Sequence, residues 1–402
     1  MPSGREALSR LKDVPRGVWA LGLVSMFMDI SSEMIHALLP VYLVTVLGAS
    51  MTAVGLIEGV AEATAMAVKI FSGALSDWLG KRKLLAAIGY GLAAFTKPVF
   101  PLATGLGWIV TARFVDRIGK GIRGAPRDAL IADLTPQAVR GAAFGLRQSL
   151  DTAGAFLGPL AAIGLMALTL NDFTLVFWIA VVPAFVSFAL IVFAVREPAS
   201  TGPGPERPRP RFADAGRFSI GFWLVVAIAA VLTLARFSEA FLVLRAQNLG
   251  MPIALVPAIL VIMNVVYAVS AYPAGVVSDR LGRTGVLAIG IAALIVADLL
   301  LAFGGHIAVM LLGVVFWGLH MGLTQGLLAA LIADKAPVDL RGTAFGVFNL
   351  ASGAALLAAS VAAGLIWDAF GPAATFLAGA GISVVALAGL VAVSRRLAAR
   401  PS

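Results

Sequence analysis

Twelve stretches of this chain are each long and apolar enough to cross a lipid bilayer, and only short breaks separate most of them. A spanning helix needs roughly 20 mostly apolar residues. The stretches run 17–46, 52–76, 84–104, 107–133, 141–168, 173–195, 218–246, 253–278, 284–304, 306–333, 341–368 and 373–394. The chain is 60% hydrophobic and 13% charged, against about 45–50% and 25% for a soluble protein. No water-soluble core of this size hides so much apolar surface, so the solvent is largely lipid. The expected fold class is an all-α polytopic membrane protein. The basic start, Arg5 to Arg16, runs directly into the first stretch, and no secretory signal is expected. Cysteine is absent, which excludes a disulfide framework and thiolate metal sites.

The net charge of +9 invites a nucleic-acid reading, and the placement of the cations excludes it. They gather at Arg10, Lys12 and Arg16, at Lys81, Arg82 and Lys83, at Arg207, Arg209, Arg211 and Arg217, at Arg280 and Arg283, and at Arg395, Arg396 and Arg400. The alternate breaks, near Gly48–Ser50, Thr104–Gly107 and Asn171–Asp172, carry no Lys or Arg. Cytoplasmic loops hold the excess of basic residues. With an even number of spans, both termini are expected in the cytoplasm, with the chain multi-pass in a cell membrane, a bacterial inner membrane.

One break differs from the rest. Residues 197–217 contain Pro198, Pro203, Pro205, Pro208 and Pro210 among Arg and Gly, a composition that suits an extended linker. It divides the chain into 1–196 and 218–402, and these halves are repeats. Residues 130–145, LIADLTPQAVRGAAFG, and residues 331–346, LIADKAPVDLRGTAFG, agree at ten of sixteen positions. Asp, Pro, Arg and Gly fall in register, which chance similarity between Ala/Leu-rich helices does not readily produce. A second pair, 73–77 and 275–279, shares Gly, Ser and Asp.

These residues resemble the major facilitator superfamily over the whole chain, in particular its drug/proton antiporters. Gly73-Ala-Leu-Ser-Asp77-Trp-Leu-Gly80-Lys81-Arg82-Lys83 looks like the family's loop signature G-x-L-a-D-R-x-G-R-R/K, with Trp78 in place of the first Arg. Gly275, Asp279, Arg280, Gly282 and Arg283 form the closer second copy. The resemblance implies twelve helices in two six-helix bundles. It also implies a gating latch in which these residues, with Asp133, Arg140, Asp334 and Arg341, hold the cytoplasmic ends together in one state. A carboxylate at a helix end and opposed basic groups suit a contact that breaks and re-forms. In the fifth stretch, Gly154, Gly158 and Pro159 resemble the antiporter signature G-x-x-x-G-P. Gly-x-x-x-Gly allows close helix approach, and the Pro removes a backbone bond.

Ionisable groups at membrane depth cost roughly 2.5–3.5 kcal/mol each on insertion scales and are functional candidates. In the first stretch Asp29, Glu33 and His36 share one face. Two carboxylates stacked at low dielectric cannot both carry charge cheaply, which suits a proton-coupling site. Glu62, near Glu58 and Lys69 in the second stretch, and Asp151, four residues after Arg147, join Asp29 and Glu33 as proton-coupling candidates. Glu58 is nearer the outer end, where it would be solvated. The fourth stretch is cationic: Arg113, Arg117, Lys120 and Arg127 share a face, and Asp116 is placed to pair with Lys120. Arg113 matches the family motif R-x-x-x-G-x-G, in which Arg117 replaces the first Gly. Arg123 and Arg127, near the cytoplasmic end, are expected to belong with the loop cations, and Arg245 to lie near the outer side. The substrate-binding candidates are His36, Arg113, Asp116, Arg117, Lys120, Arg147, Arg236, Glu239, Asn264 and Tyr267. Charge is thus concentrated in the first half, and the site is expected near the midplane.

The leading expectation is secondary active transport: proton-coupled export (antiport) of a small organic molecule by alternating access. The alternatives are transport of organic anions or metal chelates on the basic stripe, export of a divalent metal through Asp29, Glu33 and His36, and a non-transporting membrane sensor. No Walker loop is present to suggest ATP hydrolysis, so transport is expected to be secondary; the chain is not expected to be an enzyme, and no cofactor or resident metal is expected. The expected partners are a small-molecule substrate, protons and the lipid bilayer, with the chain a monomer.

Overall fold

The computed structural model describes residues 13–197, 216–337 and 340–398. The linker therefore lies almost wholly outside the described residues, as do the side chains of Asp77, Asp279 and Arg280. The described residues are mostly helical, with no strand among them. The helices are α1 (Arg16–Thr45), α2 (Met51–Leu79), α3 (Arg82–Thr96), α4 (Val99–Leu102), α5 (Leu106–Leu134), α6 (Arg140–Leu168) and α7 (Phe173–Phe193). After the linker come α8 (Ile220–Ala235), α9 (Ala240–Asn248), α10 (Ala258–Leu281), α11 (Arg283–Phe303), α12 (Ile307–Lys335), α13 (Arg341–Phe370) and α14 (Pro372–Ala398).

Local chemistry sets several boundaries. Asp172 caps α7 by accepting from the Leu175 amide, 3.1 Å, and Ser219 caps α8 through the Phe222 amide, 3.3 Å. Gly371, at φ 84°, turns the chain between α13 and Pro372 at the start of α14. Two apolar stretches expected to be continuous are interrupted. Residues 84–104 break at Lys97-Pro98, where Pro has no amide to continue the ladder, and 218–246 break at 236–239. Among the described residues, ten helical segments are long and apolar enough to cross a membrane. The helices α2 and α5, 29 residues each, are as long but carry the ionisable residues.

Contacts gather the described residues into two compact units. One contains the residues up to Leu39 and those from Thr64 to the linker; the other contains Pro40–Ala63 and everything after the linker. The grouping departs from the repeat boundary in that one segment, the tip of α1 and the first half of α2. Its cause is local. Asp368, near the end of α13, accepts from the Met51 amide (3.0 Å), the Thr52 amide (2.8 Å) and the Thr52 hydroxyl (2.6 Å), so it caps α2 from another helix.

The first unit packs α3 on α5 and α7, with Val18, Leu21, Val24 and Met28 of α1 meeting Ala86 and Tyr90 of α3 and Leu130 and Ile131 of α5. The second packs α11 on α12 and α14, and α12 on α10. Its centre is aromatic: Trp317 and Phe376 each lie within 5.6 Å of Phe237 by ring centroids, and Trp367 and Phe241 extend the cluster. In lipid, close packing and internal polar contacts hold helices together, since apolar side chains gain little over lipid tails. The unit interiors must therefore supply both.

Candidate functional site

One face of α1 forms a polar ladder with Tyr90 of α3, with Lys97 just past the end of α3, and with the basic residues of α5. Arg127 Nη1 donates to Ser25 Oγ at 2.7 Å, and Ser25 is also bonded to the Tyr90 hydroxyl at 2.9 Å. Arg123 approaches Asp29 to 4.0 Å and lies over the Tyr90 ring at 4.9 Å. Lys97 Nζ donates to Ser32 Oγ at 3.0 Å and to Asp116 Oδ1 at 2.9 Å. Arg113 Nη2 donates to His36 Nδ1 at 2.7 Å, which leaves the ring proton on Nε2. Residue numbers climb on α1 as they fall on α5, as two antiparallel helices in fixed register require. The α1 positions 25, 29, 32 and 36 are one face of a 3.6-residue helix.

This ladder corrects several expectations. Asp116 pairs with Lys97, not with Lys120, and Lys120 is exposed. Arg123 and Arg127 are buried inside the bundle rather than belonging with the loop cations. The reason is shared: α1 and α3 bring hydroxyls, a carboxylate and a tyrosine ring to the inner half of α5, where the helix alone shows only a run of charge. Glu58, expected to be solvated, is 1% exposed. Arg245 is buried as well; it holds the carbonyls of Leu301 and Gly304 at 2.9 and 3.0 Å at the end of α11, where a cation suits the helix dipole.

A second contact surface of α1 rests on the glycines of α6. A Cβ on Gly154 would lie 2.6 Å from the Met26 carbonyl and 3.0 Å from the Asp29 Cβ. A Cβ on Gly158 would lie 2.7 Å from the Glu33 Cβ and 2.8 Å from the Ile30 carbonyl. Only glycine admits so close an approach. The G-x-x-x-G-P segment therefore sets the register of the two α1 carboxylates, one turn against one turn. Just below it, Arg147 and Asp151 pair at 2.5 Å, as their spacing predicts, and Arg127 comes to 3.8 Å from the same carboxylate. Glu62 falls in the α2 segment that groups with the second unit.

The loop residues pair symmetrically. Arg82 is bonded to Asp133, and Arg283 to Asp334, equivalent pairs one repeat apart. Arg140 donates to the Ala132 carbonyl at 3.1 Å. Gly80 and Gly282 both adopt positive φ, 62° and 76°, as the turn between helices demands.

The second unit holds fewer candidates. Arg236 ends α8, and Glu239 stands at the start of α9 across the break. Arg236 lines a cavity of about 30 Å³ with Thr233, His320, Thr324 and Gln325. That is room for one water. His320 donates Nδ1–H to the Gly290 carbonyl at 2.9 Å, which leaves Nε2 as an acceptor. Asn264 and Tyr267 lie half-buried on α10, outside that lining.

Comparison with known proteins decides the family. The pattern for the Major Facilitator Superfamily matches residues 21–243 and again 218–402. The chain belongs to that superfamily. This facilitator is 31% identical over 385 residues to the uncharacterized MFS-type transporter MJ1317 of Methanocaldococcus jannaschii, covering 93% of this chain and 94% of that one. It is 27% identical to the quinolone resistance protein NorA of Staphylococcus aureus over 197 residues, 49% of this chain and 48% of NorA. Among solved structures, nucleoside transporter NupG superposes with a TM-score of 0.73 at 15% identity, covering 94% of this chain and 99% of NupG, which establishes the shared fold. The protein is thus a multi-pass membrane transporter and not an enzyme.

Lys97 is the residue the sequence reading passed over. It is 1% exposed and anchors the middle of the ladder. Its signal was available: a lone Lys before Pro, deep in the third apolar stretch, is too costly to leave unpaired.

Proposed function

We propose that this facilitator is a proton-coupled exporter of small organic molecules that works by alternating access. The observation that carries the reading is the seating of Gly154 and Gly158 on Asp29 and Glu33. A motif resembling that of antiporters holds two carboxylates in register at membrane depth, so a proton gained or lost there acts directly on the α1–α6 contact. Asp29 also faces Arg123, so its charge is coupled to the α5 ladder. The similarity of half the chain to the quinolone resistance protein NorA supports an organic substrate. In this reading all twelve spans cross the membrane, both termini are cytoplasmic, and the repeated halves 1–196 and 218–402, joined by 197–217, alternate around the site as a monomer in a bacterial inner membrane. His36, Arg113 and Arg117 in the first half and Arg236, Glu239, Asn264 and Tyr267 in the second bind substrate, with Glu62 and Asp151 assisting the proton.

The test uses proteoliposomes with an imposed pH gradient and a panel of cationic and zwitterionic drugs. Substrate addition is expected to dissipate the gradient, and Glu33→Gln to abolish that response. If no substrate moves protons and Glu33→Gln transports as the native chain does, the reading fails.

A second reading, export of organic anions, draws on the burial of Arg113 and Arg117 at membrane depth. Neutralising Arg117 would then abolish transport of acidic ligands and spare cationic ones. Metal export is disfavoured. Arg113 occupies His36 Nδ1 and brings positive charge to it, and among the described residues no three His, Asp or Glu side chains converge on a common point.

A further inference from the structure

In the second unit, α11 carries a carboxylate that nothing nearby neutralises. Asp298 is 0% exposed, and among the described residues neither carboxylate oxygen has a hydrogen-bond partner. Its wall is the glycine face of α14. A Cβ on Gly379 would lie 2.8 Å from Asp298 Oδ2, 3.2 Å from the Ala235 carbonyl oxygen and 3.2 Å from the Phe237 ring. The carboxylate thus sits where α8 ends and the chain leaves the helix at 236–239. Nearby, Ser383 Oγ, one turn beyond Gly379 on α14, and Trp317 Nε1, whose ring packs on Phe237, are also buried without a hydrogen-bond partner among the described residues.

Among the described residues, none of the charged or titratable groups on the surrounding helices is hydrogen-bonded to Asp298. On α12, His320 is bound to Gly290, eight residues before Asp298 on α11, which is about 12 Å along a helix. His306 stands at one end of α12, with Asp334, held by Arg283, and Lys335 at the other. On α9, Arg245 is taken by the Leu301 and Gly304 carbonyls and by Asn248. Arg236 and Glu239 border the break, and α10 offers Tyr267 and Tyr272, with Asp279 and Arg280 at its far end. On α14 the first ionisable residue is Arg395.

A buried carboxylate without a counter-charge is costly by several kcal/mol. Either a proton or a bound cation must cover it. A metal ion requires a shell of oxygen ligands. The Gly379 backbone, the Phe237 ring and the Ala235 carbonyl do not make one. We propose that Asp298 is a proton-binding site of the second unit, taking up and releasing one proton beside the break between α8 and α9. The reaction is simple protonation of the carboxylate, with no other bond changed. Release requires water or a charge to reach the carboxyl. The break at 236–239, with Arg236 at its edge, is backbone outside a helix beside it. Only the use of this proton in transport rests on the proton-coupled reading above; the site itself does not.

Infrared spectroscopy of the full-length protein in liposomes tests it without any substrate. The native spectrum minus that of Asp298→Asn is expected to contain one carboxylic-acid carbonyl band that disappears on alkaline titration. Gly379→Ala, which presses a methyl group on Oδ2, is expected to shift that band, and serves if Asp298→Asn does not fold. The band survives in Glu33→Gln, so failure of the export reading and failure of this one are separable. The proposal is overturned if neither variant alters a carboxylic-acid band. It is equally overturned if sodium chloride, compared with choline chloride, raises the melting temperature of the native protein but not of Asp298→Asn, since the site would then hold a metal cation.

Discussion

Gly158 of α6 sits against Glu33 of α1 so closely that a single added carbon would lie 2.7 Å from the Glu33 Cβ. The same carbon would meet the Ile30 carbonyl of α1 at 2.8 Å, and helix backbone cannot swing aside as a side chain can. The contact is therefore an all-or-none feature of the α1–α6 pair.

Gly158→Ala is accordingly expected to force α1 and α6 apart. Overpacking costs about 1–3 kcal/mol, and the misplaced Glu33 should abolish proton-linked transport. Gly124→Ala is the control, because a Cβ there meets nothing within 4 Å. Its effect on stability should stay within about 1 kcal/mol and tend toward stabilisation, as for any open helical glycine. Thermal unfolding in detergent and transport in liposomes measure both.

Lys97→Met removes the 2.9 Å partner of buried Asp116 and leaves Arg117, at 3.7 Å, beside it. Breaking a buried pair from one side costs about 3–5 kcal/mol, while replacing both partners by apolar groups is often neutral. The double variant Lys97→Met/Asp116→Leu should thus recover most of the lost stability. A double variant as unstable as the single one would show that Lys97 matters for another reason, such as its bond to Ser32.

Asp368→Ala removes three acceptor contacts at the start of α2. Loss of a helix cap costs about 0.5–2 kcal/mol. Hydrogen exchange should report faster opening of the Met51 and Thr52 amides, with the first unit unaffected. Asp368→Asn, which keeps acceptor capacity, should lose less.

The paired contacts Arg82–Asp133 and Arg283–Asp334 are partly exposed. Such pairs contribute roughly 0.2–1 kcal/mol. A double-mutant cycle on each is expected to return a coupling in that range, similar in the two repeats and weaker at high salt. A coupling present in one repeat and absent from the other would end the symmetry argument.

The general plan was open to reading because lipid imposes long apolar stretches and repeats leave identities in register. The match of LIAD–P–RG–AFG across 201 positions could be seen with no structure at all. The i, i+4 pair Arg147–Asp151 was equally legible, since one helix carries both partners. The partner of Asp116 was not. Lys120 stands one turn away on the same helix, yet Lys97, across a proline break, takes the contact.

What the sequence by itself determined is the family, the helical class, the repeat, and the membrane-depth carboxylates Asp29 and Glu33. Each follows from composition, spacing within one helix, or identity between distant segments. What only the tertiary structure decided is the pairing: Ser25 with Arg127, Asp29 with Arg123, Ser32 with Lys97, His36 with Arg113, and Asp298 with no partner among the described residues. The physical reason is that a charge at low dielectric takes whichever partner the packing of separate helices brings within reach, and helical periodicity within one segment does not encode that choice.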